Sequence, residues 1–490
     1  MVQLLIECRY YALFWSSFMS FASLSFIFVF LPAALILYYL APRGNWRNLV
    51  LVLLSLAFFA WADLAHLPFL VLFVLFNYGF GLLIGRFLNS ERVAFRKAIL
   101  WAGVGGNLLF LVVFKYLGFL GEILDSLSGG RLAIESQALL LGVSYLTFSS
   151  LSYLIDLHKK VRPVEKNFLN VAAYLVMFPK LIQGPIALYK EMEPQLGQTR
   201  FDSEDLAWGI RRFIIGLGKK VLLADTLAVA ANKVFSVNFA KIGADAAWVG
   251  LIAYSLVILF DFSGYTDMAL GVGRMFGFRL PENFNYPYIS RSITDFWRRW
   301  HMSLTNWFRT YVFIPLEFKR RRAKFLRQQS NILLVFLLTG LWHGASWNFV
   351  IWGAYFGLIL AIEASGLSRA LKKLPVILQH VYTLIIVVFG WVFFRISNPN
   401  QLPRFLGALF GANGLTGTQT LRSLNILFYI PVLLIGAVLT TPLLARFETL
   451  NFINSKVWRV VLDILLLALL VLSLAFILSN GFKAFMYARF

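Results

Sequence analysis

The sequence from Pro287 to Ser346 reads PYISRSITDFWRRWHMSLTNWFRTYVFIPLEFKRRRAKFLRQQSNILLVFLLTGLWHGAS. This stretch carries two of the five histidines, His301 and His343, together with the most basic run of the chain. It also holds four of the 14 tryptophans, and Trp347 follows directly. Imidazole, indole and guanidinium groups are costly in an apolar chain and usually serve a function there. We therefore interpret this stretch as a reaction centre around which the rest of the chain is built.

The composition is that of a membrane protein. Hydrophobic residues make up 59% of the 490 residues, the mean hydropathy is +0.74 and 14% of residues are charged, whereas soluble domains carry about 25% charged residues. The basic residues behind the net charge of +22 fall in short clusters between apolar segments, as in the cytoplasmic loops of membrane proteins. Such loops do not form the basic, aromatic-lined groove that binds single-stranded nucleic acids, so we expect no nucleic-acid partner. Cys8 is the only cysteine, which excludes an internal disulfide and a cysteine-based metal site.

Long apolar segments predict an all-α, polytopic membrane protein with about 11–13 membrane-embedded helices. Helices are favoured because they satisfy their own backbone hydrogen bonds in lipid. The predicted segments are Phe21–Leu40, Asn48–Trp61, Pro68–Gly85, Ile99–Leu120, Gln137–Leu157, Gly209–Val234, Ala246–Phe262, Asn331–Gly340, Trp347–Ile362, Val376–Phe394, Ile426–Thr440 and Trp458–Leu478.

The charges of the loops predict the membrane topology of the chain. The first five loops alternate between basic and non-basic, and because basic loops stay in the cytoplasm, the N-terminus is predicted to lie outside. The same rule places the loop Asn398–Leu421 outside. Residues 1–18 precede a second methionine, Met19, and are a possible over-long N-terminal extension. We expect one transmembrane domain over residues 19–490, with the reaction centre at 260–350.

Two segments depart from a simple span. Residues 168–188 are interrupted by Pro179, Gly184 and Pro185, and irregular backbone at membrane depth occurs only where protein or water covers it. A kinked or re-entrant element is therefore predicted there. Residues Ile293–Val312 show aromatic and aliphatic side chains at helical spacing, which predicts one amphipathic helix near the membrane interface.

His343 lies between two basic clusters, residues 319–327 and 369–373. If both clusters are cytoplasmic, the chain between them enters the membrane and returns. The apolar run before His343 places the ring roughly 18 Å deep at about 1.5 Å per residue. Gly340 and Gly344 flank it, and we expect them to form a roomy turn. A titratable side chain at that depth indicates a functional site.

Asp261 and Asp267 lie in apolar surroundings. A carboxylate inside the membrane costs about 2.5–3.5 kcal/mol on insertion scales, so each is predicted to face the protein interior or a cavity. A structural hydrogen bond to a helix end and a role in the reaction are both open for them.

The residues favour acyl transfer without a metal. HExxH, GxSxG, GxxxxGK[ST] and CxxC motifs are absent from the sequence, and the two central histidines alone leave zinc underliganded. A neutral imidazole can remove the proton from a hydroxyl that attacks an acyl donor, and arginines near a cytoplasmic entrance suit the phosphates of coenzyme A. A transporter, with broken helices and buried charge of its own, remains a rival on these grounds.

Three blocks of sequence carry a resemblance to a known family. They are FDFSGYTDMALG (Phe260–Gly271), PENFNYPYISRSITDFWRRWHMSLTNWFR (Pro281–Arg309) and LTGLWHGASWNFVIWG (Leu338–Gly353). These blocks resemble those of the membrane-bound O-acyltransferase (MBOAT) family, and most of all the membrane subunits of alginate O-acetyltransferases. Shorter similarities lie at Met19–Pro32, Gly142–Phe148 and Phe178–Ile186.

The resemblance implies a ring of helices, with kinked or re-entrant elements, around a central tunnel. His343 matches the catalytic histidine of the family and His301 its second recurring polar position, so both are predicted to be catalytic. The residues that we expect to bind substrate are Trp300, Trp342, Arg298, Arg299, Asn283, Asp261 and Asp267.

The resemblance also implies the partners. Acetyl-CoA would dock on the cytoplasmic side as acyl donor, with no bound cofactor and no metal. The acetyl group would cross the bacterial inner membrane to a periplasmic SGNH-hydrolase-like partner, which modifies a polysaccharide such as alginate. The protein would be surrounded by membrane lipid.

Several alternatives stay open. His343 could act as a general base or carry the acetyl group itself. The acceptor could be alginate, cellulose, another exopolysaccharide or peptidoglycan. A transporter or flippase, and a scaffold that only anchors a periplasmic transferase, are the rivals to an enzyme.

Overall fold

The computed structural model describes residues 20–129, 139–322, 326–443, 456–481 and residue 485. Across these residues the chain is helical, and β structure is limited to two isolated bridges, Ile242–Gln419 and Phe284–Trp300. The all-α prediction is confirmed. Its physical cause is the apolar composition, since helices pair every interior backbone group within the segment.

Within the described ranges, seven helices are long and apolar enough to cross a membrane, which makes this a multi-pass membrane protein. Two shorter apolar helices, Phe26–Leu40 and Leu427–Leu439, accompany them. The ring of helices and the central tunnel stay predictions. The seven candidate spans are Asn45–Asp63, Leu67–Arg86, Val93–Ser128, Ala244–Met275, Trp347–Leu371, Val376–Arg395 and Val460–Asn480.

The chain divides into two compact units that alternate along the sequence. The first unit consists of Met1–Leu217, Tyr265–Pro281 and Leu474–Ala484. The second unit is made of Gly218–Gly264, Glu282–Ser473 and Phe485–Phe490. Both candidate catalytic histidines belong to the second unit. The domain boundary at residue 19 stays a prediction.

The first unit contains the interrupted segment that the prolines predict. One helix ends at Val176, a four-residue helix follows at Phe178–Leu181, and residues 182–188 are not helical. Gly142 has φ +72°, and a Cβ there would stand 2.3 Å from the carbonyl oxygen of Leu181, so only glycine fits this approach. The helices of this unit are Leu31–Leu40, Asn45–Asp63, Leu67–Arg86, Val93–Leu111, Leu117–Ser128, Val143–His158, Phe168–Val176, Phe178–Leu181, Tyr189–Met192 and Ser203–Gly218.

The second unit is built around aromatic side chains. Trp300, Trp352 and Trp391 are among the largest fully buried side chains of the described residues. Trp352 packs edge to face with Trp297, and Trp300 lies tilted against Trp391 at 4.9 Å between ring centroids. These large buried rings fix the short helices near His301. The helices are Asp225–Phe235, Ile293–Trp297, Met302–Phe308, Ile314–Lys319, Arg327–His343, Trp347–Ile362, Ser368–Leu371, Val376–Arg395, Leu402–Leu409 and Ile430–Leu439.

Two long helices each contribute residues to both units. The helix predicted at Ala246–Phe262 runs instead from Ala244 to Met275 and includes both Asp261 and Asp267. It continues because its glycines stand within a run of apolar residues and no proline interrupts it. The last helix spans Lys456–Asn480.

Candidate functional site

The backbone around His301 is not helical, so the prediction of one helix over Ile293–Val312 is wrong. A short helix ends at Trp297, another begins at Met302, and His301 between them has φ 46° and ψ 52°. The chain pairs with a distant strand-like segment instead: Asn285 N donates to Arg299 O at 3.0 Å. Met302 N likewise donates to the backbone oxygen of Asn283 at 3.0 Å. These two hydrogen bonds occupy the carbonyl group of Arg299 and the N–H group of Met302, which would pair within the helix if it were continuous.

Asn283 is the centre of the hydrogen bonds in this turn. Its Oδ1 accepts from Ser303 N at 3.1 Å and from Ser303 Oγ at 3.0 Å, and it lies 3.1 Å from Nδ1 of His301. A backbone N–H can only donate, so the atom that it meets is the amide oxygen. Nδ1 of His301 therefore carries the proton, and Nε2 carries the lone pair.

Two polar atoms of this network have no hydrogen-bond partner among the described residues. They are Nδ2 of Asn283, a donor, and Nε2 of His301, an acceptor. Both side chains are buried, with relative exposures of 0% and 1%. Buried polar groups in native proteins are nearly always satisfied. A buried donor and acceptor left open on two linked side chains mark a place for a ligand or water.

The ring of His301 lies among uncharged groups. Phe262 packs edge-on against it at 4.7 Å and Trp342 lies 5.9 Å away, both between ring centroids. His301 is outside the seven candidate spans, and burial lowers the pKa of its imidazole to about 3. The ring is therefore neutral at physiological pH.

His343 is the last residue of the helix Arg327–His343 and is 2% exposed. Its ring lies 5.0 Å from Trp352 and 5.3 Å from Phe394, both edge-on. Trp342 lies 4.9 Å from the same ring. One indole therefore adjoins both histidines, and the structure brings together three of the predicted site residues. The helix continues past Gly340, where the predicted apolar segment Asn331–Gly340 ends, and stops only at His343, so the chain breaks at Gly344.

The glycines beside His343 do not form the roomy turn that we expected. A Cβ on Gly340 would stand 2.3 Å from the carbonyl oxygen of Phe349, and one on Gly344 would stand 2.2 Å from the Phe349 ring. These contacts are shorter than any real Cβ contact. Both glycines therefore allow close packing onto the next helix, which begins at Trp347.

Glu363 is a positioning residue that the sequence reasoning missed. Its carboxylate accepts from the backbone N–H of Ile293 at 2.7 Å and of Thr294 at 2.9 Å, and from Thr294 Oγ1 at 2.6 Å. It therefore holds the first turn of the helix that leads to Trp300 and His301. The available signal was an acidic residue at the end of a long apolar span, where charge is costly.

The two membrane aspartates both form ion pairs. Asp261 Oδ1 lies 2.7 Å from Lys220 Nζ in the second unit, and the same ammonium lies 2.8 Å from Asp225. Asp267 Oδ1 accepts from Nε of Arg212 at 2.8 Å in the first unit. The structural partners are thus basic side chains rather than helix ends. A substrate-binding role for either aspartate stays a prediction.

The remaining predicted residues differ in their environment. Trp300 is buried and packs 4.9 Å from Trp391, so it belongs to the aromatic core. Arg299 pairs with Asp295, with Nε–Oδ1 at 3.0 Å, whereas Arg298 is exposed. Their contacts with substrate stay predictions. Within the described ranges, no three His, Cys, Asp or Glu side chains are placed to hold a metal ion.

The chain is similar in sequence to known acyltransferases. Residues 3–398 match the sequence profile of MBOAT, the membrane-bound O-acyltransferase family. The chain is 42% identical over 415 residues to the protein named probable alginate O-acetylase AlgI of Pseudomonas aeruginosa, covering 83% of this chain and 77% of the relative.

Two further relatives carry other names. The peptidoglycan O-acetyltransferase of Helicobacter pylori is 35% identical over 430 residues, which is 80% of each chain. The teichoic acid D-alanyltransferase of Bacillus subtilis is 33% identical over 272 residues, or 52% of this chain and 68% of the relative. The three names describe transfer of an acyl group, with alginate, peptidoglycan and teichoic acid as the polymers named.

Proposed function

Because this chain belongs to the membrane-bound O-acyltransferase family, we propose that it moves acetyl groups from cytoplasmic acetyl-CoA to a polysaccharide outside the inner membrane. It is an O-acyltransferase and a multi-pass membrane protein. The observation that carries the finer proposal is the pair of buried histidines on either side of Trp342. A neutral imidazole shielded from bulk water is the group that hydroxyl acylation needs.

His343 is the proposed catalytic base. The O–H bond of the acceptor hydroxyl breaks and its proton goes to the imidazole as the oxygen attacks the acyl carbon. A C–O ester bond forms, the C–S bond of the thioester breaks, and the thiolate takes up the proton held by the imidazole. A positioned base of this kind contributes about 10²–10⁴-fold to the rate.

The acceptor that we propose first is alginate. The relatives named alginate O-acetylase are 38–42% identical to the chain, whereas the one named peptidoglycan O-acetyltransferase is 35% identical. A periplasmic SGNH-hydrolase-like protein is the proposed partner: it supplies the acceptor hydroxyl for the step at His343 and passes the acetyl group on to alginate. The N-terminus is proposed to lie on that outer side, because basic loops stay in the cytoplasm.

The binding site for acetyl-CoA is proposed from the charges of donor and protein. Acetyl-CoA carries phosphates, and guanidinium groups bind phosphates by paired, charge-assisted hydrogen bonds. Arg298 is an exposed arginine close in sequence to the His301 turn and is our candidate for that contact. No resident cofactor is needed for this reaction, because the thioester supplies the activated acyl group.

The test is transfer of label from radiolabelled acetyl-CoA to polymer in membranes that contain the full chain. We expect acetylated alginate, and its loss in His343→Gln with the protein still folded in the membrane. Label in the peptidoglycan fraction alone would show that peptidoglycan, and not alginate, is the acceptor. Absence of acetyl transfer with the intact protein and its partner would overturn the proposal and favour a transporter or scaffold.

A further inference from the structure

The hydrogen bonds of Asn283 fix both its own orientation and the tautomer of His301. Ser303 supplies two donors, its backbone N–H at 3.1 Å and its hydroxyl at 3.0 Å, and both meet Oδ1 of Asn283. Exchanging the amide nitrogen for the oxygen would set that backbone N–H against another donor. The third bond to the same oxygen, from Nδ1 of His301 at 3.1 Å, therefore requires a proton on Nδ1.

We propose that Asn283 is a positioning residue that locks His301 in the Nδ1–H tautomer, so that Nε2 accepts a hydrogen bond from a hydroxyl of the acyl acceptor. This inference rests on the proposed function, since it assigns His301 to the same reaction centre. It replaces the expectation that Asn283 itself binds substrate. His301 then orients the hydroxyl, while the proton is taken by His343.

The ligand class follows from the open atom of the ring. Nε2 of His301 can only accept, so the group that meets it must donate. A hydroxyl can donate, whereas an ionised phosphate or carboxylate cannot. The open Nε2 therefore favours a hydroxyl-bearing acceptor over the phosphates of the donor.

The surrounding backbone supports a positioning role. His301 keeps its left-handed conformation, φ 46°, which costs energy for a residue with a side chain. Pairing of residues 283–285 with 299–302 offsets this cost and holds the asparagine opposite the ring. The groups in contact with the ring, Phe262, Trp342 and Asn283, are uncharged at any pH.

The test compares Asn283→Asp with Asn283→Ala in membranes supplied with radiolabelled acetyl-CoA and alginate, between about pH 5 and 9. In the aspartate variant the new carboxylate stabilises the imidazolium, which has a proton on Nε2 and cannot accept. We therefore expect the acidic limb of the activity profile to extend to higher pH in Asn283→Asp than in the unaltered protein, where it reflects protonation of His343. Asn283→Ala should lower kcat by up to about 100-fold, because the ring is no longer held in place, and leave KM for the polymer unchanged.

The matched control is Asn348→Asp. Asn348 is also buried in the second unit, but its amide donates to the backbone oxygen of Phe393. It should leave the acidic limb of the pH profile where it is in the unaltered protein. If the Asn283 variants fail to fold, Ser303→Ala removes one of the two serine donors while keeping the asparagine, and a smaller fall in kcat is expected.

A double-mutant cycle separates this proposal from the proposed function. In a His301→Gln background, Asn283→Ala should cause no further loss, because the residue acts through His301. Additive losses, or an effect of Asn283→Ala on KM alone, would overturn the positioning role while leaving acetyl transfer intact. Normal acetylation by His301→Gln itself would instead remove His301 from the proposed reaction centre.

Discussion

The carbonyl oxygen of Phe349 lies so close to Gly340 that a Cβ on the glycine would stand 2.3 Å from it. Gly353 Cα lies 3.1 Å from the same position. Small residues that let two helices approach closely are the usual basis of helix pairing in membranes. The contact joins the helix that ends at His343 to the one that follows, so the packing of the two helices sets the place of the imidazole.

Gly340→Ala should therefore destabilise the protein, because a backbone oxygen cannot move aside as a flexible side chain can. The expected result is a lower thermal unfolding midpoint in detergent and less folded protein in the membrane. Gly79→Ala is the control, since nothing lies within 4 Å of a Cβ there and alanine favours a helix by about 0.5–1 kcal/mol. Equal stability of the two variants would contradict the packing argument.

Replacing His343 tests the base directly. His343→Gln keeps most of the volume that packs against Trp352 and Phe394 but cannot take up a proton, and a fall of about 10²–10⁴-fold in acetyl transfer is expected. His343→Ala should lose some stability in addition, because its ring contacts are removed. Polymer acetylation measured per amount of folded protein is the readout. A folded glutamine variant with near-normal activity would refute the assignment.

Glu363→Gln should weaken the turn that carries His301. The amide loses the negative charge and can offer only one oxygen to the backbone N–H groups of Ile293 and Thr294, and charge-assisted hydrogen bonds are worth about 1.5–3 kcal/mol. We expect a lower unfolding midpoint and reduced activity. Rescue of both properties by Glu363→Asp is not expected, because the shorter side chain does not reach. Unchanged stability would show that the carboxylate is dispensable.

The buried triad of Lys220, Asp225 and Asp261 predicts an order of stabilities. Lys220→Met leaves two buried carboxylates without the ammonium that they share, and breaking a buried pair typically costs about 3–5 kcal/mol. Asp261→Asn leaves Lys220 paired with Asp225 and should cost less. The amounts of folded protein and their unfolding midpoints report this order. Its reversal would mean that Asp261 contributes more than an ion pair.

His301 should make stability depend on pH. Burial lowers the pKa of the ring to about 3 from the usual 6.5, so between these values the unfolded chain binds a proton that the folded protein does not. The free energy of unfolding therefore falls as the pH drops below about 6.5, and no such contribution exists above it. Unfolding midpoints at about pH 7 and pH 5 should differ less in His301→Gln than in the unaltered protein. An equal difference in both would contradict the buried, neutral ring.

The sequence was sufficient for features that depend on neighbouring residues. Apolar runs predicted the helices, and the break at residues 182–188 followed from Pro179, Gly184 and Pro185. Clustering of His301, Trp342 and His343 also followed, because they stand in two blocks rich in functional side chains. These inferences need only local spacing and the cost of polar groups in lipid.

Features that depend on distant partners were missed. The break before His301 arises because residues 299–302 pair with residues 283–285, and the helical spacing of the aromatic residues gave no sign of it. Lys220, which lies 41 positions from Asp261, could not be matched to it by pattern. The fit of Gly340 against Phe349 is likewise a property of packing, so the expectation of space around it was wrong.

The alternation of the two units along the chain has a consequence for biosynthesis. Leu474–Ala484 belongs to the first unit, although the chain leaves that unit after Leu217 and returns only once in between, at Tyr265–Pro281. The nascent polypeptide therefore cannot complete its first unit until Leu474 and the residues beyond it have left the ribosome. A premature stop codon at position 474 would leave the earliest-made part of the protein unfinished, although residues 282–473 of the later-made unit had already been synthesised.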